Sequence, residues 1–344
     1  MIPHTISARQ PNRLPWSRMR LQHERAIALG FAVEASSVRS YTSAFQSYLS
    51  FCKNHHIPID PTPDTLSLFV IYMCSHICPS SVHSYLSGIC HALEDTFPDV
   101  RANRNSRLVS RTLAGCFKRI ANPVQRKRAF SLEDLQLLLN TYARSDQYND
   151  KLFLVMTFTA FWGLLRLGEV AVPDSLHLRA PKKRTLRHPT SITEKSYTIS
   201  LPYHKADRFY EGNKILIPAR PDAFNPVPIF SHYVDARDNL HGLRPFPWMQ
   251  ADGSPPTHSW FMAWLHCIFP RDVGGHSLRV GGAMAYALQG MPDDRIQGLG
   301  RWSSDTFKIY IRKNLTLLHA LITRSEESNT TTLPDPAIDL PLSG

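Results

Sequence analysis

The sequence lacks a run of apolar residues long enough to cross a membrane. Its longest apolar run, Leu152 to Leu165, is followed at once by Arg166, and it is shorter than the roughly 20 residues that a transmembrane helix needs. The amino terminus also lacks the apolar core of a signal peptide. We therefore expect a soluble protein in which 152–165 forms a helix buried in a domain core.

Cysteine is scarce for a disulfide-stabilised protein, with six residues in a chain of 344. A chain of this length does not need disulfide bonds to be stable, and most of the cysteines lie among apolar residues of predicted helices. Cys74 and Cys78 are one helical turn apart, but no second pair follows at zinc-finger spacing. We expect buried free thiols, no metal site and a reducing compartment.

Negative charge is also limited. The 28 Asp and Glu residues face 39 Lys and Arg residues, which gives a formal net charge of +11. Such an excess favours approach to a polyanion, so nucleic acid is the first partner to consider, although a basic protein without any polyanionic ligand also fits. The chain offers no convincing cluster of carboxylates for a metal-dependent nuclease.

The length favours two domains, each large enough for its own core. Residues 1–20 mix prolines and arginines without apolar periodicity, which predicts a basic flexible arm. We place a helical domain at 21–125 and a second domain at 126–325. The Ser-, Thr- and Pro-rich residues 326–344 are predicted to form a disordered tail.

The first domain is predicted to be a bundle of four or five helices. Apolar residues recur at helical spacing over 38–52, a segment that also carries Arg39 as a candidate DNA contact. A second helix over 82–93 has an apolar stripe on one side. Its opposite face is small, polar and nearly uncharged, and consists of Ser84, Ser87, Gly88 and His91. Such a face can approach DNA closely, but ordinary solvent exposure explains it equally well.

The second domain is predicted to be mainly α with one small sheet. Ser131 and Asp134 have the spacing of a capping box that opens a helix. The segments 196–201 and 214–218 alternate as strands do, and we interpret them as a hairpin. Candidate phosphate contacts near the domain boundary and in a basic loop are Arg126, Lys127, Arg128, Lys182, Lys183 and Arg184. A solvated linker or a nuclear-import signal explains the first three equally well.

Three motifs carry candidate residues for a ligand-binding site. Arg166 is followed one helical turn later by Glu169, which can orient the guanidinium group. His276 and Arg279 share a helix face, so that both can contact one ligand. The third motif, Leu-Gly-Arg-Trp at 299–302, precedes Tyr310, which is the only tyrosine after that motif.

In this order the motifs resemble the active site of the tyrosine recombinase and phage-type integrase superfamily, and a eukaryotic mobile-element-like member in particular. The resemblance covers roughly 36–324 and implies a helical core-binding domain followed by an α-dominated catalytic domain with a small β-sheet. The catalytic residues that it implies are Arg166, Lys205, His276, Arg279, Trp302 and Tyr310, with Glu169 in support. Lys214 lies across the same predicted hairpin and competes with Lys205 for its role. The interval from Trp302 to Tyr310 is slightly shorter than in many bacterial relatives of the family.

The chemistry of phosphodiester cleavage gives these residues distinct roles. Arg166 and Arg279 can donate paired hydrogen bonds to the negative charge that develops on the phosphate. Tyr310 is the nucleophile, and His276 assists it as a base or donates a hydrogen bond to phosphate. Lys205 is the general acid for the departing 5′ oxygen. The indole N–H of the tryptophan in the third motif can bind phosphate while its ring packs the site.

The function implied by the resemblance is site-specific recombination of double-stranded DNA through a 3′-phosphotyrosyl intermediate, without metal, ATP or another cofactor. It implies a dimer on each DNA site and a tetramer at synapsis, in the nucleus of a eukaryote or the cytoplasm otherwise. Two alternatives remain open. One is an inactive, domesticated recombinase that acts as a DNA-binding protein, and the other is a type IB topoisomerase-like enzyme.

Overall fold

A computed structural model describes residues 13–120, 127–188, 190–202 and 212–302. These residues are mainly α-helical with one small antiparallel sheet, which confirms the predicted fold class. The chain divides into two compact units, residues 1–124 and 125–344, whereas the sequence-based boundary falls between 125 and 126. In the described ranges, no helix has both the length and the apolar character needed to cross a membrane.

Unit 1 is built from helices around a core of its own. These helices are α1 (Arg18–Phe31), α2 (Ala35–His55), α3 (Pro63–Cys74), α4 (Pro79–Leu93), α5 (Val100–Arg104) and α6 (Arg107–Arg119). The predicted flexible arm ends too late, because α1 already begins at Arg18. The Ser17 side chain caps this helix by accepting the backbone N–H of Arg20 at 3.2 Å.

Helices α2 and α4 pack closely at Gly88, which corrects one part of the sequence analysis. A side chain at Gly88 would come within 2.8 Å of the Tyr41 main chain on α2. Gly88 is therefore buried at a helix–helix contact, whereas Ser84 and His91 are exposed and Ser87 is half-buried. The polar face of α4 is narrower than predicted because Gly88 allows α2 to pack against this part of the helix. Helical periodicity does not show where a neighbouring helix makes contact.

Unit 2 surrounds a second core. Its helices are α7 (Leu132–Tyr142), α8 (Tyr148–Trp162), α9 (Leu167–Val170), α10 (Pro226–His241), α11 (His258–Ile268), α12 (Gly275–Leu288) and α13 (Asp293–Gly300). Two short 3-10 helices occupy Leu176–Leu178 and Pro181–Lys183. The Ser131 side chain and Asp134 form the predicted capping box at the start of α7.

The sheet of unit 2 has three strands in the order β1 (Ser191–Thr193), β2 (Ser196–Leu201) and β3 (Asn213–Pro218). The hairpin of β2 and β3 is confirmed, whereas β1 was not predicted. Every second residue of β2 is buried, and Tyr197 stacks on Phe230 of α10 with 3.9 Å between the ring centroids. The sheet therefore packs on unit 2 through one face.

Helix α8 lies at the centre of unit 2. All its residues from Leu152 to Trp162 are buried, as the apolar run predicts. The hydroxyl of Thr157 donates to the carbonyl of Phe153 at 2.9 Å, and Thr159 shares a hydrogen bond of 3.0 Å with the hydroxyl of Tyr197. These two buried hydroxyls of α8 are thus hydrogen-bonded, and the chain leaves the end of this buried helix toward Arg166.

Two glycines allow α12 to approach this centre. A Cβ atom on Gly281 would overlap the carbonyl oxygen of Phe130, and one on Gly282 would overlap the carbonyl oxygen of Phe161 in α8. No larger residue fits at either position without moving the main chain. The contact sets the distance between α8, which leads into the Arg166 motif, and α12, which carries His276 and Arg279.

The six cysteines are free and differ in exposure. Cys52, Cys74, Cys90 and Cys116 are buried, in agreement with the expectation from sequence. Cys78, at the start of α4, and Cys267, in α11, are exposed instead. Cys78 is the N-cap residue of α4 and lies outside the helix, whereas Cys267 lies off the face of α11 that buries Phe261 and Leu265.

We expect Gly282→Ala to destabilise unit 2 by about 1–3 kcal/mol, because overpacking against main-chain atoms forces the helices apart. Gly298→Ala is the matched control, since a Cβ atom there meets nothing within 4 Å. In that helix position alanine should be neutral or stabilise by up to ~1 kcal/mol. Urea unfolding of the two variants measures the difference, and equal stabilities would show that α8 and α12 are not packed as described.

Candidate active site

Arg166 is positioned by the chain as it leaves α8. Gly163 follows the helix, and Leu164 then takes a left-handed backbone conformation with φ of 49°. Arg166 precedes the short helix α9, in which the carboxylate of Glu169 accepts the Arg166 backbone N–H at 2.9 Å and its Nη1–H at 3.2 Å. The predicted contact between Glu169 and Arg166 is therefore present, and it holds both the main chain and the guanidinium group.

Arg279 is buried in α12, with 1% of its surface exposed. Its Nη1 donates to the carbonyl of Leu164 at 2.9 Å, and its Nη2 donates to the carbonyl of Gly300. The ring of Trp302 lies beneath the guanidinium group, 4.3 Å from Cζ to the ring centroid. A buried charge needs such partners to offset lost hydration, and these partners bring the ends of α8 and α13 to α12.

His276 lies in the first turn of α12, one turn before Arg279, and is exposed to solvent. Partial loss of hydration lowers its pKa, and the positive charges of Arg279 and Arg166 lower the pKa further. A neighbouring cation disfavours the charged imidazolium form. His276 is thus kept in the neutral form that can accept a proton.

Arg301 is a site residue that the sequence analysis missed. It follows α13 in a left-handed conformation with φ of 54°, and its side chain is 8% exposed. Its Nη2 donates to Glu169 Oε2 at 2.9 Å and to the carbonyl of Leu164 at 3.3 Å. The only signal in the sequence was its place directly before Trp302 in the third motif.

Trp302 packs against Arg279. Its ring contacts the core of unit 2 as well as Arg279. A Cβ atom on Gly300 would overlap this ring, so the small residue before Arg301 makes room for the tryptophan. The predicted hydrogen bond from the indole to phosphate stays a prediction.

Two guanidinium groups, those of Arg166 and Arg301, bind the carboxylate of Glu169. The third, that of Arg279, shares the carbonyl of Leu164 with Arg301, so the three arginines form one cluster. Burial lowers the pKa of Arg301 and the charge of Arg166 lowers it further, while Glu169 acts in the opposite direction. Positive charge thus exceeds negative charge in this cluster. An anion with several oxygens, such as a phosphodiester, complements planar guanidinium groups both in charge and in hydrogen-bond geometry.

Two residues of the predicted site, Lys205 and Tyr310, lie outside the described residues. The competing Lys214 is described in β3, where it pairs in register with Ser200 and is exposed. It lies on the face of the sheet opposite to that of the buried Ile215, because side chains alternate along a strand. The choice between Lys205 and Lys214 stays a prediction to be tested.

The candidate DNA contacts of unit 1 differ in their exposure to solvent. Arg39, Ser84 and His91 are exposed, and the ring of His91 lies 5.3 Å from that of Tyr41. Ser87 is half-buried and donates its hydroxyl to the main chain of its own helix. DNA contact through these residues stays a prediction.

Near the boundary, Lys127 is exposed and donates to the carbonyl of Arg271. Arg128 is engaged within unit 2, since its guanidinium group lies 3.1 Å from Asp134 and 3.3 Å from Asp272. The hydrogen bond to Asp134 is the main reason that the pKa of Arg128 is raised. Phosphate contact by Arg128 would therefore compete with two carboxylates. Arg126 lies outside the described residues.

In the basic loop, Arg184 stacks on Phe246, with 3.3 Å between Cζ and the ring centroid. Burial lowers the pKa of Arg184, and the charge of Arg179 adds to this. Lys183 is half-buried at the end of a 3-10 helix, and the side chain of Lys182 lies outside the described residues. Arg184 thus holds the loop against its own unit, which makes it a weaker candidate for a phosphate contact than its charge suggests.

No protein-family model matches this sequence, and no curated protein matches it significantly. Solved structures do match. A lambda integrase dimer bound to a COC′ core site aligns with a TM-score of 0.53 at 17% identity, over 84% of this chain and 93% of the other. The Tn1549 transposon integrase in complex with transposon right end DNA gives 0.52 at 12% identity, over 88% and 98%. A lambda integrase tetramer bound to a Holliday junction gives 0.51 at 14%, over 85% and 76%. At such identities the matches show a shared fold.

We expect an NMR titration of His276 to give a pKa below the ordinary value of about 6.5. Arg166→Gln removes one of the charges that lower this pKa, so the pKa should rise in that variant. His276→Asn identifies the resonance. Because the folded pKa is lowered, the unfolded state binds the proton first, and His276 should reduce stability as pH falls below about 6.5. An unchanged His276 pKa in Arg166→Gln would show that the two side chains do not interact.

Proposed function

We propose that this chain, which has the fold of the tyrosine recombinase superfamily, breaks and rejoins double-stranded DNA through a covalent bond to Tyr310. The observation that carries the proposal is the cluster of three arginines with one carboxylate: Arg166 and Arg301 bind Glu169, and Arg279 joins them through the carbonyl of Leu164. This cluster has an excess of positive charge and hydrogen-bond donors next to His276. A scissile phosphodiester would supply the missing negative charge.

Charge stabilisation is the part of the mechanism that the described residues support best. Attack on phosphorus increases negative charge on the non-bridging oxygens, and Arg166 and Arg279 can donate to them. Arg279 is oriented in advance by the carbonyls of Leu164 and Gly300, so little reorganisation is needed when the charge develops. Removing one preorganised donor of this kind typically costs about 3 to 4 kcal/mol of transition-state stabilisation.

Proton transfer completes the proposed reaction. The phenol of Tyr310 has an ordinary pKa of about 10 and must lose its proton to attack. Neutral His276 accepts that proton or hydrogen-bonds the phosphate, while the Tyr310 oxygen bonds to phosphorus and the bond to the 5′ oxygen breaks. Lys205 gives a proton to that oxygen. The products are a 3′-phosphotyrosyl ester and a 5′ hydroxyl, and reversal of the same steps rejoins DNA without ATP.

The proposed partner is double-stranded DNA, bound by a dimer on each site and a tetramer at synapsis. The net charge of +11 supports a polyanionic partner, and the matched structures include a dimer on a core site and a tetramer on a Holliday junction. An inactive DNA-binding descendant would bind DNA and form no covalent adduct. A type IB topoisomerase would relax supercoiled DNA without exchanging strands between two sites.

We expect the protein to form a covalent adduct with a nicked suicide substrate. In such a substrate the short fragment that carries the 5′ hydroxyl diffuses away after cleavage, which prevents rejoining. The adduct should survive denaturant and form in the presence of a metal chelator. Tyr310→Phe should lose the adduct and still bind DNA, since it removes one hydroxyl. Gel mobility after denaturation measures the adduct. An undiminished adduct in Tyr310→Phe would place the nucleophile elsewhere.

We expect Lys205→Ala to cleave ordinary DNA very slowly and to cleave DNA with sulfur in place of the bridging 5′ oxygen at nearly the parent rate. A thiolate leaves without a proton because thiol pKa values lie around 8 to 9. Arg166→Gln should be slow on both substrates, since both still develop negative charge on the phosphate and the variant lacks one guanidinium group that stabilises it. Single-turnover cleavage rates measure both effects.

Lys214→Ala is the matched control for this comparison, because its side chain is exposed on β3. If Lys205→Ala is equally slow on both substrates, Lys205 positions DNA and is not the general acid. A sulfur-specific recovery in Lys214→Ala would assign that role to Lys214.

A further inference from the structure

We infer that Arg301 is a positioning residue that holds the Glu169 carboxylate, and through it Arg166, in the orientation that DNA cleavage requires. The inference rests on the proposed function. The side chain of Arg301 is buried, yet its guanidinium group contacts polar groups, the carboxylate of Glu169 and the carbonyl of Leu164. It differs in this respect from a surface arginine that merely covers apolar neighbours.

The carboxylate of Glu169 is held from two sides. Its Oε1 accepts from Arg166 Nη1 at 3.2 Å, while its Oε2 accepts from the Arg166 backbone at 2.9 Å and from Arg301 Nη2 at 2.9 Å. Its side chain is 6% exposed, so water replaces a lost partner poorly. Among the described residues, loss of Arg301 would leave the Glu169 carboxylate held only by Arg166, the residue that it is proposed to orient.

A second link runs through the carbonyl of Leu164. This oxygen accepts from Arg279 at 2.9 Å and from Arg301 at 3.3 Å. Arg301 therefore shares one acceptor with Arg279, the Leu164 carbonyl, and another with Arg166, the Glu169 carboxylate. Leu164 and Arg301 both have positive φ, at 49° and 54°. Non-glycine residues keep such a conformation only where surrounding contacts enforce it, which is common at functional sites. The two strained residues are joined by a hydrogen bond within the candidate site.

A direct contact between Arg301 and phosphate is the competing interpretation. It predicts that Arg301 and Glu169 contribute independently to the rate, whereas a positioning role predicts that they contribute as one unit. The two roles are therefore separated by a double-mutant cycle.

The cycle uses Arg301→Asn, Glu169→Gln and the double variant. Asparagine tolerates the left-handed conformation, so Arg301→Asn removes the guanidinium group without adding backbone strain. Single-turnover cleavage of a suicide substrate is measured at saturating DNA, together with the Kd for DNA. We expect Arg301→Asn to cleave up to about 100-fold more slowly, as expected for a misplaced catalytic group, with an unchanged Kd. The double variant should be no slower than the slower single variant.

Arg295→Asn is the matched control, because it removes an exposed arginine from α13 and should leave the cleavage rate unchanged. Arg301→Lys keeps the charge but provides a single nitrogen for two acceptors, so its rate should lie between those of the parent and Arg301→Asn. It also provides the comparison if Arg301→Asn unfolds, as judged by circular dichroism.

The outcomes separate this inference from the proposed function. If the parent protein forms no adduct, the proposed function fails and the inference falls with it. If the parent forms the adduct and the Arg301 variants cleave at the parent rate, only the inference fails. Rate losses that multiply in the double variant also overturn it, because they assign Arg301 a separate contact with the substrate.

Discussion

The organisation of the site depends on one buried cation. Arg279 gives up nearly all of its hydration in α12, and the carbonyls of Leu164 and Gly300 provide compensation. These two carbonyls lie where α8 and α13 end, so the bonds that stabilise the charge also hold three helices together. The glycines of α12 allow this helix to pack directly on α8, which keeps Arg279 within reach of the Leu164 carbonyl. The contacts that hold these helices together are thus also the contacts that stabilise the Arg279 charge. A substitution that moves the helices apart would therefore also weaken the hydrogen bonds of Arg279.

Features set by local spacing could be predicted from the sequence. The apolar run at 152–162 indicated a buried helix because no face of it offers a polar stripe. The alternation at 196–201 indicated a strand in a hairpin. The contact between Arg166 and Glu169 follows from a separation of three residues, which places two side chains on one side of a helical turn. The mainly α class follows from the sum of such local patterns.

Features set by distant contacts could not be predicted. The bond from Arg301 to Glu169 spans 132 residues and needs a left-handed arginine, for which no residue pattern is diagnostic. Burial of Gly88 depends on how α2 crosses α4. Helix α10 was not predicted, and the buried face of this helix includes a charged residue, Arg237, where an apolar stripe would have an apolar one. The interval to Tyr310, short when counted from Trp302, is one residue longer when counted from Arg301. The third motif therefore contains two functional candidates side by side.

The unequal exposure of the cysteines makes the native chain suitable for fluorescence spectroscopy. Cys78 lies in unit 1 and Cys267 in unit 2, and both are exposed, while the other four thiols are buried. Thiol-reactive dyes modify accessible cysteines preferentially, so one dye can be attached to each unit without mutagenesis. Energy transfer between the dyes then reports on the separation of the units while DNA is added. The same two thiols require a reducing buffer, because exposed cysteines of neighbouring molecules can crosslink in air.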